Sequence, residues 1–178
     1  MSDELLLLGL LSGSAMHGYQ LNEVIENHLP MFWGLKPSTA YSRLDRLAAR
    51  GLVATTTKRV GRRPERKVYD LTAVGRERFL ELLRENMRTA HTDAQSADLG
   101  ILFSRALPPD EVHSLLRERR DATAEQRPHH VTMIESHPAD SAGRRISERA
   151  LAHLDVELQW LDGVLAETVP ISAGSAAP

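Results

Sequence analysis

The sequence predicts a mainly α-helical protein with one small β-hairpin. Residues 1–88 form an N-terminal winged helix-turn-helix domain, residues 89–169 a helical dimerisation domain, and residues 170–178 a disordered small-residue tail. Three observations carry this. A short amphipathic helix between Pro37 and Gly51 runs straight into two β-branched segments separated by an arginine-rich turn. Hydrophobic residues make up 42% of the chain but aromatics only 4%, a balance that suits helices packed with Leu and Ala. Near the C-terminus, Leu151, Leu154, Leu158, Leu161 and Leu165 recur at three-four-three-four spacing, a short heptad seam.

In the first of these stretches, Ala40, Leu44 and Leu47 form one apolar stripe at helical spacing, with Ser38 or Thr39 available as N-cap. Gly51 is placed to end the helix in the left-handed conformation. Thr39, Ser42, Arg43, Arg46 and Arg50 occupy the opposite face, and such side chains donate to phosphates and base edges. Leu52 to Lys58 and Lys67 to Leu71 read as strands, and Val60-Gly61-Arg62-Arg63-Pro64 as the turn between them, flanked by Arg59 and Arg66. A helix feeding a hairpin with a basic tip is the outline of a winged helix, whose helix enters a DNA major groove while the wing follows the backbone. The expected DNA-facing residues are Lys36, Ser38, Thr39, Tyr41, Ser42, Arg43, Arg46, Lys58, Arg59, Arg62, Arg63 and Arg66.

Charge is partitioned accordingly. From Lys36 to Arg78 the chain holds twelve Lys or Arg against four Asp or Glu, a net of +8. The rest holds ten against twenty, a net of −10, so the overall −2 conceals a basic module suited to a polyanion. With no cysteine, disulfides and thiolate metal sites are excluded. The apolar run from Leu5 to Leu11 is too short for a bilayer and follows acids instead of a basic segment, so a soluble, cytoplasmic protein is expected.

In chain order, Asp3 and Glu4 favour the positive end of a first, buried helix that stops near Ser12-Gly13. A second helix places Leu21, Val24, Ile25 and Leu29 on one face and is expected to close at Pro30; His17 and Tyr19, before it, read as turn and packing residues. Thr72 caps a helix through Val74, Phe79, Leu82 and Leu83 that reaches toward Met87. The polar segment from Arg88 to Ala97 is the candidate boundary. Asp98 to Ala106 reads as a short helix with Leu99, Leu102, Phe103 and Ala106 inward. A further helix begins near Pro109, with Val112, Leu115, Leu116 and Arg119 on one face and a kink or break expected at Pro128. The last helix spans about Ala142 to Glu167, and its leucine seam is the expected dimer interface.

Three blocks in order, LGLLSGSAMHGYQL, STAYSRLDRLAARGLV and GRRPERKVYDLTAVGRERF, resemble the PadR family of bacterial transcriptional regulators. Ser42 stands where relatives usually have proline, and Ala48 where they have glutamate. The resemblance implies a homodimeric repressor of double-stranded DNA with a palindromic operator, whose helix after the wing leads into the dimerisation region. It also implies a small aromatic effector near the dimer interface, for which Trp33, Met87, Phe103 and Trp160 are candidate linings.

Other chemistries fare worse. His129, His130 and His137 straddle a proline and a loop, and no carboxylate completes a tetrahedral set, so neither metal nor cofactor is expected. No nucleophile, acid–base pair or phosphate loop marks an enzyme. The alternative is a winged-helix adaptor that binds protein without reading DNA; the arginine-rich turn argues against it, and salt-insensitive binding would reveal it.

Overall fold

The computed structural model describes residues 2–13, 21, 23–58, 66–91 and 93–167. Helix α1 (Ser2–Ser12) carries Asp3 and Glu4 in its first turn, and Leu5 to Leu8 are at most 2% exposed. Its all-round apolar character is therefore matched by burial against the helix from Pro37 to Ala49 and the second strand. His17 and Tyr19 lie outside the described residues.

Pro30 does not close the second helix. A π-helical turn, Val24–His28, precedes α2 (Leu29–Trp33), and Pro30 sits in the first turn of α2. The Leu29 N–H bonds to the Val24 carbonyl, so the ladder has already widened by one residue where proline's missing donor falls. The stop comes four residues later at Gly34, whose φ of +62° is the left-handed conformation.

Helix α3 (Pro37–Ala49) starts two residues earlier than a Ser38 cap requires, and three earlier than a Thr39 cap. Pro37 takes the first helical position, where its fixed φ fits, and Lys36 is the extended cap residue. Ala40, Leu44 and Leu47 are buried at 0%, 0% and 4% exposure, as their spacing predicts, and Gly51 adopts φ +75°. Strands β1 (Val53–Lys58) and β2 (Arg66–Leu71) pair antiparallel from Val53↔Leu71 to Lys58↔Arg66. Residues 59–65, which include the basic turn, lie outside the described residues.

Thr72 fastens the hairpin to α4 (Ala73–Arg88) as expected. Its hydroxyl accepts from the Gly75 N–H at 3.0 Å and donates toward the Gly51 and Leu52 carbonyls at 2.8 and 3.0 Å. Phe79 and Leu83 are fully buried, and Phe79 meets Phe103 edge-on at 5.8 Å.

The chain divides into two compact units, residues 1–84 with 98–103 and residues 85–97 with 104–178, so the division falls inside α4. The polar segment after α4 is bonded into a turn. Asn86 Nδ2 donates to the Ser96 carbonyl at 2.8 Å, a His91 ring N–H to the Asn86 carbonyl at 2.8 Å, and the Ser96 N–H to Asp93 Oδ1 at 2.7 Å. Helix α5 (Ala94–Phe103) therefore begins before Asp98, and Ser104–Ala106 continue as a 3₁₀ turn. Leu102 and Ala106 are exposed, not inward. The Phe103 ring is turned onto Gly9 and Phe79, which leaves Leu102 on the flank, and the tighter turn rotates Ala106 off the apolar face.

The second unit centres on two long helices, α6 (Pro109–Ser136) and α7 (Ala142–Ala166), packed as an antiparallel hairpin. Arg120–Asp162 at 2.9 Å and Arg127–Asp155 at 2.7 Å set its register, and His113 Nε2–H donates to the Leu165 carbonyl at 3.3 Å. Helix α6 runs unbroken through Pro128. That stretch of α6 is exposed, so water can serve the carbonyl that proline leaves unbonded, and α7 holds both halves in place. Ser141 caps α7 by accepting from the Arg144 N–H at 3.2 Å.

The leucine seam is partly covered within one chain. Leu154 and Leu161 are 9% and 0% exposed within one chain, and Leu151, Leu158 and Leu165 are half-buried. Leu154 and Leu161 of the expected dimer interface thus belong to the core of their own chain. Val112, Leu115, Leu116 and Arg119 of α6 are buried together as expected.

Candidate nucleic-acid interface

Burial of the Ala40–Leu44–Leu47 stripe turns the other side of α3 outward. Lys36, Ser38, Ser42 and Arg46 are exposed, and Thr39, Tyr41 and Arg43 are half-buried. Arg46 makes no ion pair with any described residue, whereas two other arginines of this region are engaged by α1. Arg43 pairs with Asp3. Arg50 grips Glu4 through both terminal nitrogens at 3.0 and 3.3 Å, and Arg78 reaches the same carboxylate at 3.2 Å. Arg50 therefore ties α3 to α1 and does not serve the outward face. Burial pushes the Glu4 carboxyl up, but hydrogen bonds from Arg50 and Arg78 outweigh it and hold the group below its usual range.

A second junction sets the hairpin against α3. Asp45 Oδ1 accepts from Lys67 Nζ at 3.1 Å and from the Tyr69 hydroxyl at 3.0 Å. The Lys67 hydrogen bond lowers the Asp45 carboxyl from its usual range. Burial, with the adjoining Asp45 charge, pushes the Tyr69 phenol up to about 12. Tyr69 thus stays a neutral donor, and the base of the wing is fixed to the helix it accompanies.

At the end of the hairpin nearest the turn, Lys58 and Arg66 are register partners. Arg59, Arg62 and Arg63 lie outside the described residues. The structure thus brings Lys36, Ser38, Ser42 and Arg46 onto the outward side of one helix and Lys58 and Arg66 to one strand end.

The four aromatic and methionine residues singled out for an effector divide between the units: Trp33 and Phe103 in the first, Met87 and Trp160 in the second. Phe103 packs on Gly9 and Phe79, and Met87 is fully buried. Trp160 is 39% exposed, with the Arg119 guanidinium 5.9 Å from its ring centroid. The His129 and His130 rings meet edge-on, and His137 Nδ1–H donates to the Met133 carbonyl at 2.7 Å. Among the described residues no three His, Asp or Glu side chains converge on a metal position, and no helix is long and apolar enough to cross a membrane.

Sequence reasoning missed the roles of Asp3, Glu4 and Asp45. The first two are explained locally by the helix dipole, and their arginine partners lie far along the chain. Gly75 was missed as well: a Cβ there would lie 1.9 Å from the Leu52 carbonyl oxygen.

A buried first helix, a basic helix anchored on it, and a two-stranded hairpin clamped to that helix define a winged helix-turn-helix protein. Residues 7–81 match the sequence profile of the transcriptional regulator PadR-like family. The negative transcriptional regulator PadR of Bacillus subtilis (strain 168) is 26% identical over 113 residues, which span 64% of this chain and 62% of that protein. Solved structures are similar at lower identity. Bacillus subtilis PadR in complex with operator DNA has 23% identity and a TM-score of 0.42, covering 92% of this chain and 97% of that one. The same protein in complex with p-coumaric acid has 22% identity and a TM-score of 0.40, covering 93% and 98%. Smu.1604c of Streptococcus mutans UA159 has 20% identity and a TM-score of 0.43, covering 94% and 100%.

Proposed function

We propose that the protein is a sequence-specific DNA-binding transcriptional regulator, a homodimeric repressor that leaves a palindromic operator when a small aromatic ligand binds, and that it has no enzymatic activity. The observation that carries this reading is the division of α3. Its apolar stripe is sealed in the core, and Ser42 and Arg46 face outward, one helical turn apart, beside a hairpin whose two strands are joined in sequence by the arginine-rich segment 59–65. In this reading the first unit contacts DNA, the second joins two copies, and the protein works in the cytoplasm. Ile146, Val156 and Trp160, 62%, 68% and 39% exposed, share one side of α7 and support a role for that side in pairing.

Helix and wing have separable duties. Arg46→Ala is expected to weaken binding to a selected duplex by about 1–3 kcal/mol per subunit, and to a scrambled duplex far less, because a bidentate guanine contact is read only in the correct sequence. The Arg62→Ala/Arg63→Ala pair is expected to weaken both alike and to flatten the plot of log K against log salt, by roughly 0.9 per lost phosphate contact. Titrations of both variants on both duplexes over several salt concentrations check this. Equal losses on both duplexes for Arg46→Ala, with losses on the selected duplex alone for the wing pair, would reverse the assignment.

A further inference from the structure

We propose that Asp3 is an intramolecular competitor for Arg43, holding this recognition-helix arginine in the place a DNA acceptor takes. The inference rests on the DNA-binding reading above. Helix α1 packs against α3, and its first turn presents two carboxylates with different duties. Glu4 joins Arg50 and Arg78 in a three-member network that ties α1 to the end of α3 and to α4. Asp3 reaches instead to Arg43, which neighbours Ser42 and lies three residues before Arg46 on the outward side.

The two partners keep 42% and 32% of their side-chain surface exposed. An exposed pair of this kind contributes little to stability and breaks easily. A guanidinium held by a carboxylate has its donor fork aimed at an acceptor of the geometry that phosphate or guanine also offers. Arg43 must leave Asp3 before it can serve DNA, and the stranded carboxylate then faces phosphates well within a Debye length, about 8 Å at physiological salt. Both effects subtract from affinity. Asp3 therefore sets how tightly the protein holds DNA, and most strongly on sequences in which Arg43 gains a contact.

The test is a double-mutant cycle with Asp3→Asn, Arg43→Ala and the combination, each titrated against a duplex selected by the wild-type chain from a randomised library and against its scrambled counterpart. Asp3→Asn is expected to tighten the selected duplex about two- to fivefold per subunit, the range an exposed ion pair supports, and the scrambled duplex by no more than that. In the Arg43→Ala background most of the gain should vanish. Asp3→Ser, which keeps a side-chain oxygen in the first turn, should reproduce the effect if the asparagine variant folds poorly. Weaker binding by Asp3→Asn would mean that Asp3 orients Arg43 for DNA, and would overturn the proposal. So would unchanged affinity, or an equal gain with and without Arg43, which marks plain repulsion of phosphates. Wild-type binding is the control: its absence overturns the DNA-binding reading itself, whereas its presence with a null cycle overturns only the role of Asp3.

Discussion

Replacing Arg119 with alanine is expected to destabilise the helical hairpin by about 3 kcal/mol, the scale found when one partner of a buried ion pair is removed. Arg119 is 1% exposed, pairs with Glu157 of α7, donates from Nη1 to the Ala97 carbonyl at 3.4 Å and lies against Trp160. Truncation would leave the Glu157 carboxylate, only 27% exposed, without its counter-charge, and would open a cavity where three segments meet. Arg119 Nε has no hydrogen-bond partner among the described residues, so the native arrangement already carries part of the desolvation cost. For that reason Arg119→Met with Glu157→Leu should recover most of the loss. Urea unfolding followed by Trp160 fluorescence, with Trp33 changed to Phe, measures both. A loss under about 1 kcal/mol for Arg119→Ala would mean that the pair is dispensable.

Gly75→Ala should cost the first unit about 2 kcal/mol, although helix propensity alone predicts a gain of about 1 kcal/mol. The added Cβ would sit 1.9 Å from the Leu52 carbonyl oxygen and 2.9 Å from its carbon. That carbonyl also accepts the Thr72 N–H at 3.2 Å and the Thr72 hydroxyl, so neither the strand nor the helix start can shift without losing bonds. The sign of the change in urea midpoint decides which effect wins; a stabilised variant would show that the close approach relaxes freely.

Local rules made much of the fold legible. The stripe Ala40–Leu44–Leu47, the stop at Gly51, the cap at Thr72 and the inward face Val112–Leu115–Leu116–Arg119 follow from helical spacing and from the special conformations of glycine and threonine. Proline was less reliable. Pro30 and Pro128 break helices by local rules, but a widened π turn at one and long-range packing at the other keep the helices running. The leucine seam shows a different limit. Periodicity reports that a face is buried, not what covers it, and in this chain α6 lies over Leu154 and Leu161.

The outward side of α3 was legible because it is the complement of a clear apolar stripe. Its ionic partners were not. Asp3, Glu4 and Asp45 meet Arg43, Arg50, Arg78 and Lys67 only once the chain has folded back on itself, and no periodicity encodes such pairings.

DNA binding by the unmodified protein is the central claim, and equilibrium titration of a library-selected duplex and its scrambled counterpart, between about 50 and 200 mM salt, tests it most directly. The account predicts that log K falls linearly with log salt on both, with the selected duplex bound at least about a thousandfold more tightly at physiological salt. Binding that ignores salt, or that does not separate the two duplexes, would contradict it.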